Sequence, residues 1–267
     1  MASSPTIQAK VAYMKPDDEL FRREKPYVSL VPFVSHGGKF TNTTIDEHMM
    51  KIENIRGRET DFSLDKNGFT YVSYNSKEKP THDILSPSHP YMQEMANFLK
   101  AFLGANEVTV YDGSTRKVGD PKFLQASLYA HVDHTVANCR WRVKQLMQAC
   151  GKKMPKHWAI TNIWAPIKGP IMGSPLAVCD YQSLDRNDLV AVDSVFPHKV
   201  MEVYYVKHNP IHQWYYLQDQ NVNEVLIMKT CDSNGEKSSC CAHSAVMPDP
   251  GANVVRESIE ARFIVEY

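Results

Sequence analysis

Short hydrophobic segments separated by turn residues dominate the chain after about residue 150. Their β-branched and aromatic residues are typical of strands, and their regular spacing is typical of a sandwich or barrel. The strands predicted in this region are 157–167, 175–181, 188–196, 199–208, 213–219, 224–232 and 257–267. Earlier in the chain the pattern predicts strands at 27–34, 68–74 and 107–113, and it assigns 48–59 and 62–67 to connecting structure.

Two segments have the hydrophobic spacing of helices. The clearer one is 90–104, which begins at Pro90, where a missing amide is harmless, and ends at Gly104. The second covers about 137–150 and ends before Gly151. The pattern therefore predicts a mainly β fold with a few flanking helices. Because the sequence contains no internal repeat, low-complexity tract or convincing linker, residues 1–267 are predicted to form a single domain.

Composition narrows the classes of partner and compartment. Thirty basic and thirty acidic side chains give a formal net charge of zero, which argues against broad electrostatic binding to nucleic acid or membranes. The chain has no apolar run of about 18 residues and no signal-peptide-like apolar segment at its N-terminus. The six cysteines form no CxxC motif, so we expect reduced thiols and a cytoplasmic protein. Nothing in the sequence indicates an oligomer.

The segment "LYAHVDHT" (128–135) places polar side chains in a stretch that otherwise resembles a buried strand. On a strand, Tyr129, His131 and Asp133 would point to the same face, and His134 would point to the other. An imidazole and a carboxylate in an interior need partners, because burying unpaired polar groups is costly. The alternatives are a structural hydrogen-bonded pair, an acid/base couple, or a metal site.

Two further motifs follow downstream in a fixed order. The H-x-D motif is followed by 109 intervening residues, then His243, then 12 residues, then Arg256 and Ser258 as R-x-S. Two imidazoles and one carboxylate make the facial triad that suits non-haem Fe(II) and leaves positions open for a 2-oxo acid and dioxygen. The guanidinium and the hydroxyl together could hold the far carboxylate of 2-oxoglutarate.

Several of these residues also have plainer interpretations. His243 taken alone would be an ordinary loop histidine, and His134 would lie beside the site or at the surface. Arg262 shares a strand face with Arg256 and is the alternative clamp. Arg256 could instead form a surface ion pair with a nearby carboxylate of Glu224, Glu257 or Glu260.

Other polar and aromatic residues are weaker candidates. His208 and His212 have the spacing of a helical metal pair, but Pro210 lies between them, so we interpret the segment as a turn. Asn162 and Trp164 share one strand face and could border a cofactor, although core packing is the favoured interpretation.

The motifs together resemble a known family. "HVD", "ITNIWAPIKGPIMGSPLAVCDYQSL", "HQWYYLQDQNVNEVLIMKTCDS", "HSAVMPDP" and "RESIEARFIVEY" look like the fungal hydroxylase/desaturase family related to the 7α-cephem-methoxylase small subunit and gibberellin desaturase. The likeness covers about residues 107–267, and 1–106 would be flanking strands and a helix. It implies a double-stranded β-helix core, a jelly roll of the cupin type. One departure is Ala165, where the family has an arginine between tryptophan and proline.

The resemblance also implies site residues and a reaction. His131, Asp133 and His243 would be the iron ligands of the catalytic centre, and Arg256 with Ser258 would bind 2-oxoglutarate. The expected activity is a hydroxylation, desaturation or oxidative cyclisation at an unactivated C–H of a small secondary metabolite. It would consume O2 and release succinate and CO2, and ascorbate would help in vitro.

Two alternatives remain. One is an iron oxidase that needs no 2-oxoglutarate, with Arg256 and Ser258 holding a carboxylate of the substrate itself. The other is a non-catalytic jelly-roll protein with a structural zinc ion, although such sites normally close with four protein ligands.

Overall fold

The computed structural model describes residues 6–31, 39–83, 86–235, 238–248 and 256–267. The strands in these residues are β1 (Thr6–Met14), β2 (Tyr27–Ser29), β3 (Ile45–Asn54), β4 (Phe69–Ser73), β5 (Glu107–Lys117), β6 (His131–Val132), β7 (Trp158–Pro166), β8 (Leu176–Cys179), β9 (Leu189–Phe196), β10 (Lys199–Val206), β11 (Trp214–Tyr216), β12 (Glu224–Asp232), β13 (His243–Ala245) and β14 (Glu257–Glu266). The α-helices are α1 (Asp18–Arg23), α2 (Leu64–Asn67), α3 (Pro90–Leu103) and α4 (Val136–Ala149).

The strands form two sheets. One has nine strands in the order β1-β3-β11-β8-β13-β6-β10-β9-β2, and the other has five in the order β4-β12-β7-β14-β5. Most pairs are antiparallel, and the exceptions are β3 with β11 and β2 with β9. Apolar side chains from both sheets, such as Trp164 and Val178, pack into one shared cluster. The predicted mainly β jelly roll is therefore confirmed.

The helices cover apolar surface that the sheets leave open. Met92, Met95 and Leu99 of α3 pack on the outer face of the five-stranded sheet. Cys139 and Val143 of α4 pack in a hydrophobic cluster that also contains residues of β7 and β14. Both helices were predicted from the sequence, and Gly104 ends α3 in the left-handed conformation, with φ of 63°. Among the described residues, no helix combines the length and apolar character needed to cross a bilayer.

The sequence prediction was wrong in parts of the N-terminal region. Segment 48–59 lies largely in β3, a strand that pairs along its length with β1, which was also missed. Charged and apolar residues are mixed at the exposed positions of β3, Glu47 and Lys51 with Ile45 and Met49, so the strand shows no regular apolar pattern. Segment 62–67 contains α2. The strand predicted at 27–34 is confirmed only as β2, and residues 32–38 lie outside the described residues.

A close backbone approach at Gly68 brings the end of α2 against Cys240, in the segment just before β13, the strand that carries His243. Gly68 follows α2 with φ of 82°, and a Cβ atom there would collide with the backbone carbonyl oxygen of Cys240. The Gly68 carbonyl also accepts a hydrogen bond of 2.8 Å from the Lys229 amide. Only glycine satisfies both the left-handed conformation and the close packing.

Replacement of Gly68 by alanine is expected to destabilise the fold much more than replacement of Gly57. Gly57 has nearly the same φ of 83°, but the space that a Cβ atom would enter there is open, so Gly57→Ala should cost only about 1 kcal/mol of backbone strain. Gly68→Ala adds the collision with Cys240 and should cost about 2–4 kcal/mol. Urea unfolding followed by circular dichroism measures both losses, and equal losses would contradict the close packing.

Candidate active site

Two histidines lie side by side on neighbouring strands, and an aspartate faces them. His131 of β6 and His243 of β13 are direct register partners, and their ring centroids are 4.4 Å apart. Asp133 Oδ1 lies 3.4 Å from His131 Nε2 and 3.6 Å from His243 Nε2. One nitrogen or oxygen atom from each residue lies within 4.8 Å of the other two. The structure thus brings together the three residues that the sequence singled out.

Backbone carbonyls set the orientation of both imidazoles. His131 Nδ1 lies 2.7 Å from the Tyr129 carbonyl oxygen, and His243 Nδ1 lies 3.2 Å from the Cys241 carbonyl oxygen. Each Nδ1 therefore carries the proton that it donates, and each Nε2 keeps a lone pair directed at the shared centre. Burial, reinforced by His131, lowers the pKa of His243 to about 4, so this ring is neutral near pH 7.

The Asp133 carboxylate is held from the opposite sheet. Its Oδ2 accepts a hydrogen bond of 2.7 Å from Asn162 Nδ2 and one of 2.8 Å from Arg262 Nε. Burial alone would raise the pKa of Asp133, but the charge of Arg262 holds it well below its usual value. Asp133 is therefore ionised, and Oδ1 stays free to face the two histidines.

Asn162 and Arg262 belong to a wider buried network. Glu260 accepts hydrogen bonds from both residues, at 2.7 Å from Asn162 Nδ2 and 3.0 Å from Arg262 Nη2. Thr230 donates a hydrogen bond to Asn162 Oδ1 at 3.1 Å, so both Nδ2 and Oδ1 of the Asn162 amide have hydrogen-bond partners. Burial raises the pKa of Glu260 to about 6, although Arg262 opposes that shift. Arg262, the alternative clamp, is thus engaged with Asp133 and Glu260.

Arg256 is a buried cation without a carboxylate partner among the described residues. It is 1% exposed, its Nη1 donates to the Ser174 carbonyl at 3.2 Å, and its guanidinium lies 5.6 Å from the Trp164 ring centroid. Its Nε and the Ser258 Oγ have no hydrogen-bond partner. Burial and the nearby Arg116 lower the pKa of Arg256 to about 10, so it remains charged near pH 7.

The surface ion pairs considered for Arg256 do not form. Each of the three candidate carboxylates pairs with another side chain: Glu224 with Arg56, Glu257 with His82, and Glu260 with Arg262. An unpaired buried guanidinium is costly, so this arrangement is typical of a site that receives an anion.

A narrow cavity connects Arg256 with the histidines. Its walls include His131, His243, Arg256 and Trp164. A second cavity, of about 580 Å³, opens beside Asp133 and is lined partly by Met201 of β10. The His-Asp-His group therefore lies between a small cavity that ends at a buried cation and a larger, more open cavity.

Sequence reasoning underestimated three residues near the site. Asn162 and Trp164 were assigned mainly to core packing, yet Asn162 binds Asp133 and Trp164 lines the smaller cavity. The available signal was an asparagine inside the largely apolar predicted strand 157–167, because a buried amide needs polar partners. His134 is only 2% exposed, which excludes a surface position.

The remaining candidates lie elsewhere. Ala165 packs with α3 on the outer face of its sheet, so the alanine at this position does not alter the cavity walls. His212 Nε2 lies 3.1 Å from Asp188 Oδ2, and the His208 ring stacks on His48 with centroids 3.6 Å apart. The predicted turn is confirmed.

A family model and two relatives each match most of this chain. A family model described as "Oxidoreductase/YMDC permease-like domain" matches residues 11–266. Hydroxylase/desaturase efuI of Hormonema carpetanum is 30% identical over 243 residues, which cover 80% of this chain and 82% of that protein. The Fe(II)/2-oxoglutarate-dependent dioxygenase nvfI of Aspergillus novofumigatus is 26% identical over 280 residues, or 99% of this chain and 98% of nvfI.

A solved structure shares the same architecture. The iron and alpha-ketoglutarate-dependent endoperoxidase NvfI superposes with a TM-score of 0.82 at 24% identity, covering 98% of both chains. This likeness supports the two-sheet fold described above.

Removal of the Arg262 cation is expected to destabilise the fold strongly. Arg262→Met leaves the buried carboxylates of Asp133 and Glu260 without their shared cation, and breaking such a pair costs about 3–5 kcal/mol. The control is Arg58→Met, which removes exposed pairs with Glu53 and Asp61 and should cost no more than about 1 kcal/mol. Urea unfolding compares the two, and a similar small loss in both would contradict the network.

Proposed function

The chain belongs to the hydroxylase/desaturase family of Fe(II)/2-oxoglutarate-dependent dioxygenases, and we propose that His131, Asp133 and His243 hold its iron. It is an oxidoreductase that couples oxidation of a small secondary metabolite to conversion of 2-oxoglutarate and O2 into succinate and CO2. The observation that supports the ligand assignment most strongly is the convergence of three ligand atoms within 4.8 Å.

The donor set fits ferrous iron. Two neutral imidazole nitrogens and one carboxylate oxygen form the facial triad of non-haem iron oxygenases, which leaves positions for 2-oxoglutarate and O2. A structural zinc site would need a fourth protein ligand, often a thiolate. Among the described residues, the potential ligand group contains no cysteine, and the Cys241 thiol points to the Ala242 carbonyl. The donor set therefore favours iron over a structural zinc ion.

Arg256 and Ser258 are proposed to hold the far carboxylate of 2-oxoglutarate. Support comes from the unpartnered Arg256 Nε and Ser258 Oγ, which lie at the start of β14, and from the cavity that joins Arg256 to the histidines. A guanidinium supplies a fork of donors that matches a carboxylate. A dedicated anion site separate from the larger cavity favours a 2-oxoglutarate-dependent enzyme over an oxidase that uses only its substrate.

The protein's contribution to the reaction is orientation and exclusion of water. Iron held by His131, Asp133 and His243, together with 2-oxoglutarate, would supply the oxidant for removal of hydrogen from a C–H bond. Asn162 and Arg262 fix Oδ2 of Asp133, so that Oδ1 faces the ligand position. Trp164 shields the Arg256 guanidinium from water. No side chain is required as a general base, and the outcome at carbon depends on where the substrate is held.

Three further points belong to the proposal. Residues 1–267 act as one oxygenase domain, in which 1–106 flank the 107–267 core; pairing of β3 with β11 and of β4 with β12 supports this.

The enzyme works in the cytoplasm on a small molecule, and six free cysteines support a reducing compartment. The balanced charge supports the absence of nucleic-acid or membrane partners.

Loss of His131 is expected to abolish iron binding and turnover. His131→Ala removes one of three ligands, so iron affinity should fall by more than about 100-fold. The assay reconstitutes the protein anaerobically with Fe(II) and measures bound iron, then succinate release across a panel of fungal metabolites with 2-oxoglutarate and ascorbate. The control is His198→Ala, which removes an exposed histidine. A His131→Ala protein that keeps its iron and produces succinate would disprove the ligand assignment.

Loss of Arg256 is expected to weaken the binding of the co-substrate 2-oxoglutarate. Arg256→Ala removes charge-assisted hydrogen bonds worth about 1.5–3 kcal/mol, so the half-saturating 2-oxoglutarate concentration should rise about 10–100-fold. Iron content should remain that of the wild type, because Arg256 does not touch the three proposed ligands. Titration of the iron-loaded protein with 2-oxoglutarate measures the effect, and unchanged affinity would rule out the clamp.

A further inference from the structure

The two cavities meet beside the proposed iron ligands. His131, Arg116 and Ser127 line both of them. The smaller cavity contains Arg256, whereas the larger one contains Asp133 and extends away from the buried cation. If the proposed function holds, 2-oxoglutarate takes the smaller cavity, and the larger one of about 580 Å³ is left for the substrate.

The larger cavity has one apolar wall. Met201, Val203 and Tyr205 project from β10, and the Tyr205 ring stacks on Tyr129 with centroids 5.3 Å apart and planes 10° from parallel. Binding sites for small organic molecules usually combine such apolar walls with a few placed polar groups. This wall suits a molecule with a hydrocarbon skeleton.

The carboxylates near this cavity all form ion pairs with the same cation, Arg262. Arg262 lies 2.8 Å from Asp133, 3.0 Å from Glu260 and 3.4 Å from Asp112. The positive charge of Arg262 is therefore compensated within the protein. None of these three carboxylates pairs with the second guanidinium in the cavity wall, which belongs to Arg116.

Arg116 is a partly buried cation on β5, across from Ser258 on β14. Its side chain donates a hydrogen bond to the Gln125 carbonyl oxygen, and none of the described carboxylates lies within ion-pair distance. A carbonyl oxygen accepts a hydrogen bond but does not neutralise the charge. The Arg116 side chain lines both cavities, where a carboxylate would bind its guanidinium well.

The charges of 2-oxoglutarate do not account for Arg116. The far carboxylate is assigned to Arg256 and Ser258, and the near carboxylate would take an open position on iron held by His131, Asp133 and His243. Arg116 is therefore the cation left for a negative group that enters from the larger cavity.

We propose that the larger cavity binds an organic acid, a hydrocarbon skeleton whose carboxylate pairs with Arg116. This assignment rests on the proposed function and adds the chemical class of its substrate. The apolar wall formed by β10 holds the skeleton, and the ion pair fixes one end of the molecule. A carbon atom some distance from the carboxylate then lies beside His131 and Asp133, where oxidation occurs.

The test compares acids with their methyl esters. The iron-loaded, 2-oxoglutarate-bound enzyme is titrated without oxygen with decanoic, naphthoic and dehydroabietic acid and with the methyl ester of each. Binding is read from the change in the visible absorption band of the Fe(II)–2-oxoglutarate complex. We compare wild type, Arg116→Gln, Arg116→Lys and the control Arg140→Gln, which removes an exposed arginine of α4.

At least one acid should bind the wild type and the Arg140→Gln protein about 10-fold or more tightly than its ester. Arg116→Gln should weaken the acid about 10–100-fold, leave the ester and 2-oxoglutarate within about 3-fold, and so remove the preference. Arg116→Lys should restore part of it, because the charge returns without the fork.

Three results would overturn the inference. They are failure of all three acids to bind, equal binding of acid and ester by the wild type, or a loss of 2-oxoglutarate affinity in Arg116→Gln that matches Arg256→Ala. In each case the Fe(II)–2-oxoglutarate band still forms in the wild type, so the proposed function stands. A wild type that forms no such band contradicts the proposed function, and the inference falls with it.

Discussion

The carboxylate of Asp133 is tied to both sheets of the jelly roll, and the site depends on that connection. Asp133 follows β6 in the nine-stranded sheet, while Asn162 and Arg262, which bind its Oδ2, belong to the five-stranded sheet. These bonds cross the interior and turn Oδ1 toward the two histidines. Because Arg262 also binds Glu260, one buried cation pairs with two carboxylates.

The strand register supplies the rest of the geometry. His131 and His243 are direct partners on neighbouring strands, so 112 positions of sequence separation become a ring distance of 4.4 Å. The start of β14 then places Arg256 and Ser258 at the far end of a cavity that begins at the histidines. Rigid strands thus hold both the proposed iron ligands and the proposed 2-oxoglutarate clamp, which is where positional precision matters for C–H oxidation.

The sequence predicted the residues that carry recognisable chemistry in a fixed order, from the H-x-D motif to the R-x-S motif. It did not predict the role of Asn162, because an isolated asparagine has no spacing signature and its partners come from distant strands. It also missed β3, whose exposed charges interrupt the apolar pattern while pairing with β1 and β11 stabilises the strand. Local patterns thus identified the ligating side chains, whereas tertiary pairing determined what orients them.

The central claim is that His131, Asp133 and His243 surround a single ferrous ion. X-ray absorption at the iron edge of the anaerobically reconstituted protein, compared with Asp133→Ala, tests it most directly. The account predicts two imidazole ligands and carboxylate or water oxygens near ~2.1 Å, with an oxygen ligand lost in the variant. Sulfur scattering near ~2.3 Å, or a spectrum without imidazole ligands, would contradict it.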